Sequence, residues 1–530
     1  MFHRHGSRSP RSDRRPHRGG GAAASAGPLL SVQDGVVEEL RRAVEALTAP
    51  ELAEIVDLVA WPDGDGGVLV ANASGTARLQ PGEPDHVVVG VNPVADQNPM
   101  AFLPYENELA DPSPPNVRNA YPYPAERLLS FFADGGRSPD LAVIHTPRHY
   151  YPEAGGHRGE HGSLDVVQSR APLVVSGAGV RASGIVDGHA RLRDLGPTLA
   201  WLCGAEPDPE SGRLVDQAGV ALDGVVLDGL VARGARWVVG VLWDGAHCGD
   251  LLELAAKGEL PAVARLLDEG CALSGGAVAE FPSVTLTNHT SIITGVGPGR
   301  HGVLGNLFYD RETQQAVNTN DATTWHRTAD WLRPGVATMF ELVRSANSDA
   351  LTACVNEPVD RGADYSTMQV IRDSGAADGA TSLTAALPDP GGSMHLHNPA
   401  WLADGYYAWA TQVDDAGLDQ VLSLWNRPSS APLLTWWSSS VTDAGLHHGG
   451  PRSEIARDSF RDADLRLGAF LDHLDRLGVA DDVIIMLTAD HGFEGADPNC
   501  RGNWDGALRT AGVQFRDEGP GFVYLGGRGS

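Results

Sequence analysis

Short apolar runs separated by stretches with helical spacing constrain the fold of this chain most strongly. The segments RWVVGVLWDG, LTACVNEP, LLTWWSSSVTD and DVIIMLTADHG each contain such a run, and the helical pattern LLELAAKGELPAVARLLDEG follows the first of them. Runs that are apolar on both faces are typical of parallel strands covered by helices on each side. The sequence therefore predicts an α/β fold with three layers, α/β/α, around a mostly parallel central sheet.

Acidic residues follow several of these predicted strands. Asp244, Asp443 and Asp490 each come directly after an apolar run, where α/β sheets carry their chemistry. His491 is adjacent to Asp490, and His447 lies four residues beyond Asp443, a spacing that suits one helical turn or a tight loop. Carboxylates and imidazoles at one sheet edge can hold a divalent cation. Each residue alone also has an ordinary interpretation as a turn residue, a helix cap or a loop histidine.

The segment FPSVTLTNHTSIITGVGPGRHGVLGN combines hydroxyls, an amide and histidines ahead of a predicted helix. A hydroxyl at a helix N-terminus lies next to free N–H groups and the positive end of the helix dipole, which favours a phosphate there. The alternative is an ordinary N-cap followed by polar helix residues. Further upstream, the segment RGEHGS presents His161 between glycines that let a ligand approach closely.

Composition excludes several classes of function. A net charge of −28 makes nucleic acid a poor partner, and Lys257 is followed by glycine rather than Gly-Lys-Ser/Thr, so no Walker phosphate loop is present. The five cysteines have neither disulfide-framework nor zinc-finger spacing, and no run of about 18 apolar residues could span a membrane. We expect a cytoplasmic protein with a disordered basic arm over residues 1–34.

These motifs together resemble the alkaline phosphatase superfamily, and within it the type I phosphodiesterase and nucleotide pyrophosphatase branch. That branch has an Asp-Gly after a strand, then a threonine in a Thr-Phe-Pro-Asn-His context, an Asp and a His four apart, and an Asp-His-Gly. Here TLTNH replaces Phe-Pro by Leu-Thr, which is a departure from the pattern. The matching positions are Asp244, Thr285, Asp443, His447, Asp490 and His491.

The family also has a histidine in a Gly-x-His-Gly-Ser/Thr context after the Asp-His-Gly, but no histidine follows His491 here. The context GEHGS around His161 fits, although it lies upstream of all the other motifs. Residues 35–235 thus resemble the family's carboxyl-terminal part and residues 236–530 its amino-terminal part, both forming one catalytic domain. This order indicates a circular permutation, and the alternative is a mis-joined gene model.

The resemblance implies two divalent metal ions, zinc by ligand type, with manganese or iron as alternatives. One ion would be held by Asp443, His447 and His161. The other would be held by Asp244, Asp490, His491 and the oxygen of Thr285.

The implied activity is hydrolysis of a small phosphodiester or nucleotide pyrophosphate through a phospho-threonine on Thr285, with Asn288 donating to a phosphoryl oxygen. A phosphomonoesterase, a phosphonate hydrolase of the phosphonoacetate type and a phosphomutase share this metal core. From a different class, a binding protein without turnover stays open. Sulfatases do not fit, because they need a modifiable cysteine or serine. We expect the loops at 80–125 and 310–430 to determine specificity.

Overall fold

The structure is a computed structural model that describes residues 27–102, 120–151, 155–321, 323–374, 395–519 and 521–526. Most of the basic arm expected at 1–34 lies outside these residues, and the first helix already begins at Gly27. The helices are α1 (Gly27–Leu47), α2 (Pro124–Phe132), α3 (Leu195–Leu202), α4 (Cys248–Ala256), α5 (Pro261–Glu269), α6 (Thr285–Thr294), α7 (Pro298–His301), α8 (Met339–Ala346), α9 (Thr367–Asp373), α10 (Gly405–Leu424), α11 (Val441–Gly449), α12 (Glu454–Leu477) and α13 (Asp505–Thr510).

Short 3-10 helices and many strands complete the described elements. The 3-10 helices are Pro50–Leu52, Leu192–Asp194, Trp325–Trp331, Pro399–Ala403, Pro428–Ser430 and Ala480–Asp482. The strands are β1 (Val56–Pro62), β2 (Val68–Asn72), β3 (Gly75–Leu79), β4 (His86–Gly90), β5 (Leu141–His145), β6 (Gly159–Glu160), β7 (Arg170–Ala171), β8 (Leu173–Gly177), β9 (Gly184–Val186), β10 (Ala190–Arg191), β11 (Trp237–Trp243), β12 (Gly270–Leu273), β13 (Ala277–Val278), β14 (Leu307–Asp310), β15 (Gln315–Asn318), β16 (Thr352–Val355), β17 (Tyr365–Ser366), β18 (Leu434–Ser439), β19 (Val483–Thr488), β20 (Glu494–Gly495), β21 (Phe515–Glu518) and β22 (Phe522–Leu525).

The central sheet has eight strands in the order β17-β16-β18-β11-β19-β8-β12-β9. Strands β17, β16, β18, β11 and β19 are mutually parallel, and β8 runs antiparallel to both of its neighbours. Every residue of β11, β18 and β19 is buried, as their continuous apolar runs require. The predicted α/β class with a mostly parallel sheet is confirmed.

Helices cover this sheet on both faces. Neighbouring residues on a strand point to opposite faces. On β18, the ring of Trp437 packs against Phe470 of α12. The ring of Trp436 points the other way, and a Cβ atom on Gly240 would run into both this ring and Leu199 of α3. One helix therefore lies on each side, which is the predicted three-layer arrangement.

A second sheet is antiparallel and has the order β21-β22-β5-β1-β2-β3-β4. Its strands β2 and β3 form an antiparallel hairpin, and the sheet as a whole was not anticipated from the sequence. Its strands come from both parts of the chain, because β1–β5 precede residue 236 and β21 and β22 follow it. The same is true of the central sheet, where β8 pairs with β19. Neither part of the chain forms these sheets alone.

None of the helices among the described residues combines the length and the apolar character needed to cross a bilayer.

Candidate active site

The carboxyl ends of β11 and β19 bring two carboxylates and one imidazole together. These strands are parallel neighbours, so the residues that follow them meet at one edge of the sheet. The Nε2 atom of His491 lies 3.2 Å from Oδ2 of Asp490 and 3.7 Å from Oδ1 of Asp244. The backbone N–H of Gly245 donates to Oδ1 of Asp490 at 2.8 Å. These three side chains form a group whose ligand atoms converge closely enough to hold a metal ion.

A second group lies beside the first and uses the start of α11. Asp443 lies in the first turn of this helix, and Nε2 of His447 lies 3.4 Å from its Oδ1 atom. The spacing allowed one helical turn or a tight loop, and the structure has the helical turn. His161, Asp443 and His491 form a further convergent group, and the rings of His161 and His447 are 5.1 Å apart. The structure therefore brings all six side chains expected as metal ligands into one cluster.

His161 is held in place by the loop that precedes the predicted nucleophile. Its Nδ1 atom lies 2.9 Å from the carbonyl oxygen of Ser283, which leaves Nε2 for a ligand. Its ring stacks on that of His491 at 3.7 Å. The hydroxyl of Ser283 accepts from the backbone N–H of Gly162 at 3.1 Å and donates to the carbonyl of Ser163 at 2.7 Å. Residues 161–163 are thus tied directly to the loop before Thr285.

The chemistry of the cluster fits bound divalent cations. Oδ1 of Asp244, Oδ1 of Asp443, Oδ2 of Asp490 and Nε2 of His491 are all buried, and none has a hydrogen-bond partner among the described residues. Buried polar atoms are normally satisfied, so a set of acceptors facing one another implies a cation between them. A histidine with one nitrogen bonded to a carbonyl is also the usual arrangement of a metal ligand.

Burial and mutual repulsion shift the pKa values of these groups. Burial, together with the nearby carboxylates, raises the pKa of Asp244 well above its usual range. Burial also raises the pKa of Asp490 to about 6. Burial lowers the pKa of His161 and brings that of His491 down to about 4, so both rings are neutral near pH 7. Neutral imidazoles are what a metal ion requires, and a cation would reverse the repulsion between the carboxylates.

Thr285 is the first residue of α6, as its sequence context predicted. It is 8% exposed and lines a cavity of about 580 Å³, which is also lined by His161, Asp443 and His447. Gly245, directly after Asp244, has a φ of 64°, and a Cβ atom there would lie 3.2 Å from Oδ1 of Asp443. A glycine at this position therefore lets the two metal-facing strand ends approach each other.

Asn288 does not face this cavity, in contrast to the role expected for it. Its side-chain N–H groups donate to the carbonyls of Pro282 and Val284 at 3.0 and 3.1 Å, and its oxygen accepts from the N–H of Glu280 at 2.7 Å. Both amide hydrogens are thus used to fix the loop before α6. The amide residues that line the cavity are Gln168, Asn306 and Asn320, and of these Asn306 is bonded to the first turn of α6.

Asn306 was missed in the sequence because no local pattern marks it. Its Oδ1 atom accepts from the backbone N–H of Leu286 at 3.1 Å, within the first turn of α6. This bond turns the amide nitrogen away from Leu286 and leaves its hydrogens for another acceptor. A glycine and an asparagine after the His-Gly turn were the only signal available.

Further side chains around the cavity were also not anticipated. His157, Glu160 and His447 form a third convergent group, in which Nδ1 of His157 lies 3.3 Å from Oε1 of Glu160. The hydroxyl of Tyr406 donates to Oδ2 of Asp443 at 2.7 Å, and its ring continues into an aromatic wall with Trp409 and Trp325. Parts of the loops expected to determine specificity, residues 103–119 and 375–394, lie outside the described residues.

A family model described as type I phosphodiesterase / nucleotide pyrophosphatase matches residues 238–530, more than half of the chain. The chain belongs to this family. The match includes Asp244, Thr285, Asp443, His447, Asp490 and His491. It begins after His161, so this residue lies outside it. Members of the family are phosphoester hydrolases that depend on metal, and the cluster described above is consistent with that chemistry.

Curated relatives align over short parts of the chain. It is 36% identical over 89 residues to alkaline phosphatase PafA of Elizabethkingia meningoseptica, covering 17% of this chain and 16% of that protein. It is 40% identical over 55 residues to ectonucleotide pyrophosphatase/phosphodiesterase 2 of Saccharomyces cerevisiae, covering 10% and 11%. An uncharacterized pyrophosphatase/phosphodiesterase of Schizosaccharomyces pombe is 24% identical over 254 residues, covering 46% and 43%. The chain thus spans less than half the length of each relative.

Two solved structures align with about half of the chain. Phosphonoacetate hydrolase from Sinorhizobium meliloti is 23% identical, with a TM-score of 0.32, over 52% of this chain and 60% of that chain. Murine ectonucleotide pyrophosphatase / phosphodiesterase 5 is 14% identical, with a TM-score of 0.33, over 48% and 57%. Likenesses at these TM-scores add nothing to the assignment of function.

Proposed function

We propose that this protein hydrolyses small phosphodiesters or nucleotide pyrophosphates with two divalent metal ions and Thr285 as the nucleophile. The observation that carries the proposal is the set of buried, unpaired acceptors on Asp244, Asp443, Asp490 and His491, which lies in one cluster with His161 and His447. Thr285 and part of this cluster, namely His161, Asp443 and His447, line the same cavity. A phosphoester can therefore reach the hydroxyl and the cation-binding groups together.

Each of the two proposed metal ions would be held at one end of the cluster. Asp443, His447 and His161 would hold one ion, and Asp244, Asp490, His491 and the Thr285 oxygen the other. Mixed carboxylate and imidazole ligands suit Zn²⁺, with Mn²⁺ or Fe as alternatives. When bound, such ions lower the proton affinity of a hydroxyl and neutralise charge on phosphoryl oxygens.

The chain's own residues supply the attacking group and its surroundings. The Thr285 hydroxyl loses its proton as its oxygen forms a bond to phosphorus, and the bond to the leaving oxygen breaks. This gives a phospho-threonine ester, and the leaving group departs as an anion or takes up a proton from water. The N-terminus of α6 favours negative charge at this atom, because its N–H groups and helix dipole point there. The Asn306 amide donates to a phosphoryl oxygen as charge develops on it. Water then cleaves the ester and restores the hydroxyl.

The test compares substrates and one variant. Bis-p-nitrophenyl phosphate, p-nitrophenyl phosphate, a nucleotide 5′-ester and phosphonoacetate are assayed with the wild-type protein, and bound metal is measured by mass spectrometry. We expect the diester or the nucleotide ester to be turned over fastest, and Thr285→Ala to lose turnover while it keeps its metal. Full activity of Thr285→Ala would reject the mechanism, and preference for the monoester or phosphonoacetate would reject the substrate class.

We also propose that residues 35–235 and 236–530 are two halves of the family's fold in exchanged order. The family match begins at residue 238, while β8 and His161 come from before it. The first described helix adjoins the last described elements, since Ala43 and Leu47 of α1 pack in one apolar cluster with Leu508 and Val523. Adjacent ends at the surface are the condition under which a chain tolerates reordering.

A further inference from the structure

A buried histidine lies between Asp490 and a second carboxylate. The Nδ1 atom of His289 lies 2.8 Å from Oε2 of Glu357, and its Nε2 atom lies 3.6 Å from Oδ2 of Asp490. His289 is 3% exposed, and the two carboxylates are not exposed at all. The ring therefore connects a carboxylate in the protein interior to a carboxylate of the proposed metal site.

Glu357 is fixed by donors from several elements. Its Oε2 atom accepts from the indole N–H of Trp436 and from the hydroxyl of Ser438, both at 3.0 Å, and its Oε1 atom accepts from the N–H of Val359 at 3.1 Å. Trp436 and Ser438 belong to the central strand β18. A carboxylate surrounded by these donors can only accept hydrogen bonds. Nδ1 of His289 therefore carries a proton and donates a hydrogen bond to Glu357.

Because Nδ1 of His289 is bonded to Glu357, the Nε2 side of the ring faces Oδ2 of Asp490. Neither Nε2 of His289 nor Oδ2 of Asp490 has a hydrogen-bond partner among the described residues. Oδ2 is the oxygen of Asp490 that lies 3.2 Å from Nε2 of His491. Within the described parts of the chain, His289 is in none of the groups with converging ligand atoms, and it contacts the proposed metal site through Asp490.

We propose that Glu357 and His289 are positioning residues, which hold the Asp490 carboxylate in the orientation that binds the cation shared with Asp244 and His491. Gly245 restrains Oδ1 of this carboxylate at 2.8 Å, and His289 borders Oδ2. At 3.6 Å the contact between Nε2 and Oδ2 is not a hydrogen bond, and the ring limits rotation of the carboxylate by occupying the space beside Oδ2. Without the ring the carboxylate can rotate, and its alignment must then be recovered on metal binding. This inference rests on the proposed function, because it concerns the same metal site.

The test titrates zinc into metal-free protein with a competing chelator dye. His289→Asn keeps a donor near Glu357 but removes the atom that faces Asp490, whereas His289→Gln places its amide nearer to Asp490. We expect two zinc ions in the wild type and a 10- to 100-fold weaker affinity, roughly, for one of them in His289→Asn. Its kcat falls while KM is kept, and His289→Gln recovers part of the affinity.

His301→Asn is the matched control. His301 is a buried histidine near the same helix, and its Nε2 atom lies 2.9 Å from the hydroxyl of Ser291 rather than near a metal ligand. We expect this variant to unfold at a lower temperature with both zinc affinities unchanged. If His289→Asn behaves in the same way, the inference is overturned and the proposed function stands. If the wild type binds no zinc, manganese or iron, the proposed function fails first and this inference fails with it.

Discussion

The replacement of Asn306 by aspartate tests whether its amide donates to the phosphoryl group, separately from its structural bond to Leu286. Aspartate keeps the oxygen that accepts from the N–H of Leu286 at 3.1 Å, but it removes the amide hydrogens. Loss of one such donor to a developing negative charge lowers kcat about 100- to 1,000-fold, or about 2.7–4 kcal/mol of barrier. Initial rates on bis-p-nitrophenyl phosphate measure this loss, and calorimetry checks that the midpoint of unfolding is kept.

Asn288→Ala is the matched variant. It removes three hydrogen bonds to backbone groups, each worth about 1 kcal/mol, so we expect about 3 kcal/mol of destabilisation. Its folded fraction should lose much less turnover than Asn306→Asp. The reverse pattern, with turnover lost in folded Asn288→Ala and kept in Asn306→Asp, would refute the assignment of the two amides.

Three further predictions concern the ligands and the chain order. Tyr406→Phe removes a 2.7 Å hydrogen bond to Asp443, so metal affinity should weaken about 10-fold in a zinc titration; unchanged affinity would mean that this bond does not orient the ligand. In the metal-free protein, Asp490 keeps a proton up to about pH 6, and His491 gains one only toward about pH 4. Zinc affinity should therefore fall as the pH drops below about 6. A zinc affinity independent of pH between about 5 and 7.5 would contradict this. A reordered chain that joins residue 526 to residue 35 by a short linker and begins at residue 236 should fold and keep turnover; an insoluble or inactive product would argue against exchanged halves.

The features that could be predicted from the sequence are those that repeat along the chain or mark the end of a strand. Asp244 and Asp490 were identifiable because residues that follow parallel strands lie at the carboxyl edge of the sheet, and Asp443 with His447 because their spacing of four residues fits one helical turn. The central sheet followed from the same apolar runs. Each of these predictions depends on a pattern that lies within one short segment of the sequence.

The parts that depend on tertiary contacts could not be found in this way. The sequence does not show which of Asn288 and Asn306 faces the cavity, because this depends on the bond of Asn288 to the loop before α6 and on the bond of Asn306 to α6. The contact of His289 with Glu357 and that of Tyr406 with Asp443 join residues 68 and 37 positions apart, so no local pattern reveals them. The location of His161 came from the resemblance, because a single loop histidine has no spacing to distinguish it.

The most direct test of the account is diffraction recorded on both sides of the zinc absorption edge from crystals grown with zinc. The account predicts two anomalous peaks per chain. One peak should lie among Asp443, His447 and His161, and the other among Asp244, Asp490 and His491. A structure in which zinc binds elsewhere, or in which His161 contacts neither ion, would contradict the claim that distant parts of the chain build one metal centre.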